Sequence, residues 1–167
     1  TEAQLEALRA DASRFASETE GGSLFGSDLG KKLQDALRVC EALARKFDCV
    51  VANPPYMGSS SFSPFMSKWI KKNYPDVKSD LCTCFIERAF SLVKPCGYPT
   101  LITMQSWMFL GSFEKMRTKL IAEHSIVSMA HIGARGFDSI GGEVVSTTVT
   151  VFAAGQPGVD GVYLRLV

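Results

Sequence analysis

The sequence predicts an α/β protein with a mostly parallel sheet flanked by helices and an antiparallel edge near the C-terminus. Three observations carry this expectation. Apolar runs of strand length recur at 47–52, 98–104, 126–132 and 144–152. Segments with helical apolar spacing separate the first three, the pattern of βαβ units. No such segment separates the last two, so they should pair antiparallel. Hydrophobic content of 46% in 167 residues suffices for a real core.

The elements follow in order. Leu5, Leu8, Ala12 and Phe15 repeat at helical spacing, and glycines at 21, 22 and 26 break the pattern. A second helix is predicted from Asp28, a plausible cap, to about Arg45, with Leu33, Leu37, Cys40 and Leu43 on one face. Residues 1–26 read as an N-terminal helix and linker, and 27–167 as one domain. The run Phe47–Ala52 is a buried strand, followed by a Ser/Gly/Pro-rich loop. Ser63-Pro64 opens a short helix that Pro75 ends. Ser79 or Asp80 caps a longer helix with Leu81, Phe85, Ala89 and Leu92 inward. Lys94–Gly97 is a turn, and Tyr98–Met104 a strand that Pro99 could delay. Ser112 opens a helix with Phe113, Met116 and Leu120 inward. Strands are predicted at Ile126–Ile132 and Val144–Phe152, with one more in the tail from Val159.

Composition narrows the function classes. The net charge is +1, so the chain is no polycation, and any nucleic-acid contact must be local or supplied from outside it. No apolar run approaches a membrane span, and no signal-peptide pattern opens the chain. A cytoplasmic protein without membrane partners is expected. Cysteines 40, 49, 82, 84 and 96 include no Cys-x-x-Cys pair, and His124 and His131 are not near them in sequence. No metal site is expected; reduced, mostly buried thiols are the simpler reading.

The chemistry concentrates at Asn53-Pro54-Pro55-Tyr56. Two prolines end the strand before it and stiffen the loop at its C-terminal end, the edge of an α/β sheet where ligands bind. An exocyclic amine such as that of adenine is a poor nucleophile, because its lone pair is delocalised into the ring. The Asn53 side-chain oxygen and the Pro54 carbonyl could each accept one of its hydrogens. The nitrogen is then drawn toward tetrahedral geometry as it attacks, and its developing positive charge is stabilised without a titrating base. Tyr56 offers a flat face for a base, which would have to leave its duplex to reach it. The competing reading is a turn with a surface tyrosine.

Residues Phe47–Gly58 resemble motif IV of the amino-methylating DNA methyltransferases. Asn73-Tyr74-Pro75-Asp76, Ser79-Asp80-Leu81, Phe85–Arg88, Ile102–Phe109 with its Met-Gln-Ser-Trp block, Gly133-Ala134-Arg135 and Phe137-Asp138 with Ile140–Val145 extend the likeness. Over about residues 27–152 the chain is similar to PglX-type adenine methyltransferases of BREX phage-defence systems. The resemblance implies a Rossmann-like class I methyltransferase fold, S-adenosylmethionine as cofactor, and adenine in DNA as substrate. Restriction-modification or phage defence would be the setting, with other defence proteins as partners. It also implies Asn53, Pro54, Pro55 and Tyr56 as catalytic and base-binding residues, and Phe137 as a second base-stacking ring.

Gly21–Gly26 follows no apolar strand and so is no cofactor loop. The chain therefore reads as the substrate-side half of a methyltransferase domain, inactive alone, with the cofactor-binding residues mostly upstream. Two alternatives stand beside this: a protein-glutamine methyltransferase, since a glutamine amide is also a planar nitrogen, and a non-catalytic interaction module on the same scaffold. Pro95-Cys96 as a thiol nucleophile, Lys68, Trp69, Lys71, Lys72 and Tyr74 as a DNA-backbone contact, and Asp80, Gln105, Arg117 and Arg135 as pocket residues are weaker candidates. Each has an ordinary structural explanation in turns, solvated helix faces and caps.

Overall fold

A computed structural model describes residues 2–19, 24–133 and 146–167. The chain separates into two compact units, residues 1–46 and 47–167, so the second helix groups with the first. In the smaller unit α1 (Glu2–Thr19) packs on α2 (Leu24–Ala44). Ala12 is buried, and Arg9 pairs with Glu41 at 3.6 Å. The second helix starts before Asp28, which lies inside it and pairs with Lys32 one turn on, at 2.7 Å.

The larger unit is a five-stranded sheet with helices. Its elements are β1 (Phe47–Ala52), α3 (Pro64–Asn73), α4 (Leu81–Leu92), β2 (Val93–Met104), α5 (Glu114–Glu123), β3 (Ser125–Gly133), β4 (Thr147–Ala153) and β5 (Val162–Arg165). The strand order is β1-β2-β4-β3-β5. The β1–β2 and β3–β5 pairs are parallel, whereas β4 is antiparallel to both β2 and β3. Four strands thus share a direction and β4 alone is reversed. It lies inside the sheet rather than at its margin, because its residues are almost all buried and it needs a partner on each side. Val144 and Val145 of the expected strand lie outside the described residues.

Local chemistry explains the element ends. Ser63 Oγ accepts the Met66 N–H at 3.2 Å, and Pro64 occupies the first helical position of α3. Asp80 Oδ1 accepts the Cys82 N–H at 2.8 Å and caps α4. Gly111–Phe113 forms a 3-10 turn, so α5 begins at Glu114 rather than Ser112.

The strand through Pro99 does not start late. β2 begins at Val93, and the expected Lys94–Gly97 turn is a bulge within it. Phe47 pairs with Val93 but Cys49 pairs with Tyr98, so extra residues loop out on β2. Cys96 there has φ 62°. A Cβ on Gly97 would meet Asp48 O and Val93 Cβ, each at 2.9 Å, so the bulge admits only glycine. Pro99 is spared a ladder bond, since the β2–β4 register runs from Thr100 to Met104.

The core joins Ile70 of α3, Ile86 and Ala89 of α4, and Met116 and Leu120 of α5 to Leu101 and Phe152 of the sheet. The other side of β1 and β2 carries exposed Val51 and Tyr98. Two cysteines, Cys82 and Cys84, are buried, whereas Cys40, Cys49 and Cys96 are exposed. The expectation of mostly buried thiols therefore holds for two of the five. Among the described residues no helix is long and apolar enough to cross a membrane, and no group of His, Cys, Asp and Glu could hold a metal ion.

A candidate active-site loop at the strand ends

The four residues Asn53–Tyr56 follow the C-terminal end of β1 and lie outside any helix or strand. Asn53 is exposed, Pro54 buried, Pro55 exposed and Tyr56 half-buried. The buried proline wedges the loop into the domain while the amide before it faces solvent. Pro54 and Pro55 carry no N–H, so burying this stretch leaves two fewer donors to satisfy. The Tyr56 hydroxyl oxygen is itself buried. Burial pushes the phenol up to about 12, with Cys82 nearby adding to the rise. The hydroxyl stays protonated at neutral pH.

The far side of the loop is tied to α4. Leu81 N–H donates to Met57 O at 2.9 Å, and Ser59 N–H donates to Ser79 O at 2.9 Å. Between them, Gly58 and Asp80 form an isolated antiparallel bridge. The start of α4 in turn reaches β2. Burial pushes the Cys82 thiol up to about 12, against a hydrogen bond with the Met104 backbone that acts the other way. Cys82 is therefore a neutral spacer between Tyr56 and the end of β2.

Beyond Met104 the chain turns through a 3-10 segment, Gln105–Met108. Gln105 N–H donates to Ser146 O at 3.0 Å, so the start of β4 lies at the same edge. Trp107 is buried, with Nε1 donating to Thr103 Oγ1 at 3.0 Å and Thr103 Oγ1 3.3 Å from Thr148 Oγ1. This chain of polar contacts locks the ends of β2 and β4 together.

The other sequence candidates separate clearly. Asp80 is a buried helix cap whose carboxyl burial pushes up. Arg117 Nη1 donates to Trp107 O at 2.8 Å and Leu110 O at 2.6 Å, a structural role. Cys96 lies in the bulge near the N-terminal end of β2, at the opposite end of the sheet from Asn53. Phe137 and Arg135 lie outside the described residues. Sequence reading singled out the Asn53–Tyr56 loop as the candidate but could not show Cys82 beside Tyr56 or the Met57–Leu81 and Ser59–Ser79 bonds that tie the loop to α4. Nothing in the sequence marks a contact between segments so far apart.

Residues 7–137 match the model of the Eco57I restriction-modification methylase family. The chain belongs to this family. It is 40% identical over 167 residues to the adenine-specific methyltransferase BrxX of Escherichia coli O9:H4 (strain HS), covering 99% of this chain and 14% of that protein. It is 42% identical over 137 residues to the adenine-specific methyltransferase PglX of Lacticaseibacillus casei (strain Zhang), covering 81% of this chain and 11% of that protein. The chain thus spans about a seventh or less of these relatives' length. In fold it is similar to a Listeria monocytogenes protein described as a class I S-adenosylmethionine-dependent methyltransferase. That likeness has a TM-score of 0.58 at 16% identity and covers 74% of this chain and 38% of the other. The fold is therefore that of the class I methyltransferases, and the family implies S-adenosylmethionine as cofactor. Among the described residues no strand precedes β1. The strand-to-helix glycine loop that would cradle such a cofactor is therefore not among them.

Proposed function

We propose that the protein to which this chain belongs transfers a methyl group from S-adenosylmethionine to the exocyclic amino group of adenine in DNA. This chain supplies the acceptor side. The observation that carries the reading is the disposition of one loop at the strand ends: Asn53 exposed, Pro54 buried, and Tyr56 half-buried with its hydroxyl inside. When bound, the cofactor supplies an electrophilic methyl group.

The chain's own residues act on the base. Asn53 Oδ1 and the Pro54 carbonyl oxygen accept the two amino hydrogens of an extruded adenine. They hold its nitrogen lone pair out of conjugation and stabilise the positive charge that grows as the new bond forms. Both acceptors are neutral, so no proton has to move before attack. As the new N–C bond forms the methyl–sulfur bond breaks, and the nitrogen then loses one of its protons to water. Stacking on Tyr56 contributes roughly 1–3 kcal/mol toward holding the base out of its helix. Phe137 supplies the second stacking face. The work of such a protein is restriction-modification or phage defence in the cytoplasm, alongside other defence proteins.

The test is transfer of tritiated methyl groups by the full-length protein. Label in the adenine of DNA supports the proposal; label in protein glutamine, or in neither, overturns it.

A further inference from the structure

α3 carries a surface that the loop chemistry does not use. Ile70 is its only buried residue, and Met66 beside it is half-buried. Lys68, Lys71 and Lys72, at i, i+3 and i+4, lie together on the opposite side and are exposed. Phe65 is 81% exposed and Trp69 49% exposed, along one flank of the lysines. Among the described residues, none of these lysines has a carboxylate within ion-pair distance. A favourable interaction with the helix C-terminus accounts for lysine at 71 and 72. It accounts neither for Lys68 nor for the exposed Phe65 ring and the half-exposed Trp69, whose other side meets Tyr74 at 5.7 Å.

Residues 59–79 form one excursion that packs on the domain core through Ile70 and Val77. The Ser59–Ser79 hydrogen bond and the Gly58–Asp80 bridge close that excursion at its base. The base is also the point where the Asn53–Tyr56 loop is tied to α4. The lysine face is therefore carried on a segment pinned at both ends next to the candidate site. The chain's net charge is only +1, so this is a local concentration of positive charge rather than a general property of the surface.

We propose that the outward face of α3 is a DNA-backbone contact: Lys68, Lys71 and Lys72 bind phosphates beside the extruded base, with Phe65 and Trp69 packing against the adjoining sugars. The proposal rests on the reading above that the substrate is DNA. Three clustered cations without carboxylate partners match a polyanion in charge, and Asp76 is the one acidic residue in the turn that follows. Contacts of this kind set affinity and register without reading sequence.

The test uses the full-length protein and a duplex containing adenine. Binding and methylation are measured over about 50 to 200 mM salt for the wild type, for Lys68→Gln/Lys71→Gln/Lys72→Gln, and for Lys115→Gln on α5 as a control. Each lost phosphate contact should reduce the slope of log K against log salt by about 0.9, so the triple variant should lose about 2 to 3. Affinity should fall equally for target and non-target DNA, while the rate at saturating DNA and the control variant stay as in the wild type. Lys68→Arg should retain binding. An unchanged slope and affinity in the triple variant, with the wild type still methylating DNA, overturns the α3 proposal alone, and so does loss of a protein partner with DNA binding intact. A wild type that neither binds nor methylates DNA overturns the underlying reading as well.

Discussion

Asp80 shows how one residue serves several constraints. Its carboxylate caps α4, its backbone bridges Gly58, and its side chain is buried. Burial raises its pKa, against the Cys82 N–H bond that pulls it down, so ionising it costs more in the folded protein than in the unfolded chain. Asp80→Ala removes the cap and should cost about 1 kcal/mol in urea unfolding. Asp80→Asn keeps an acceptor for the Cys82 N–H and removes the charge, so it should equal or exceed the wild type in stability at neutral pH. A cost for Asn as large as that for Ala would show that the charge itself matters. The cap was legible in Ser79-Asp80 followed by an apolar helix. The bridge to Gly58 was not, because a backbone contact across some twenty residues leaves no mark on residue type. Asn53, Pro54, Pro55 and Tyr56 were legible because adjacent prolines after a β-type run leave few conformations open. That Pro54 would be buried while Asn53 stays exposed required the fold.

At the scale of elements, helices were legible wherever a cap met an apolar period, as at Ser63-Pro64. The β2 bulge was not. Lys94-Pro95-Cys96-Gly97 has the composition of a turn, and only the pairing of β2 with β1 shows that the strand resumes its partner on both sides. The junction of α5 and β3 holds a histidine with a clear pH consequence. His124 stacks on Phe90 with ring centroids 4.0 Å apart, and its Nδ1 accepts the Gly155 N–H at 2.9 Å. That bond needs an unprotonated Nδ1. Burial lowers the His124 pKa below its usual 6.5, against an opposing pull from Glu123. The unfolded chain therefore binds the proton more readily than the folded one. The contribution of His124 is fully present above about pH 6.5 and is lost as pH falls through the lower folded value. The unfolding midpoint, followed from pH 8 to 5, should fall less steeply for His124→Gln than for the wild type. Parallel curves would place the acid sensitivity elsewhere.

At the scale of the molecule, alternation of strands and helices announced a mostly parallel α/β sheet with an antiparallel edge near the C-terminus, whereas the reversed strand lies inside the sheet. The alternation could not announce the order β1-β2-β4-β3-β5, since placing β4 between β2 and β3 depends on which edges compete for it. That order brings the ends of β1, β2 and β3 and the start of β4 to one edge, with the Asn53 loop at its β1 end. On the proposed reading, this chain is the acceptor side of a methyl transfer that relies on the neutral groups of Asn53 and Pro54. The most direct measurement is the single-turnover rate of adenine methylation by the full-length protein carrying Asn53→Ala, with DNA affinity and thermal stability measured on the same preparation. Loss of one fixed polar group at the reacting nitrogen should slow the reaction by at least about 10²–10³-fold, with binding and stability close to wild type. A rate within a few-fold of wild type would contradict the assignment of the amino-group acceptor to Asn53.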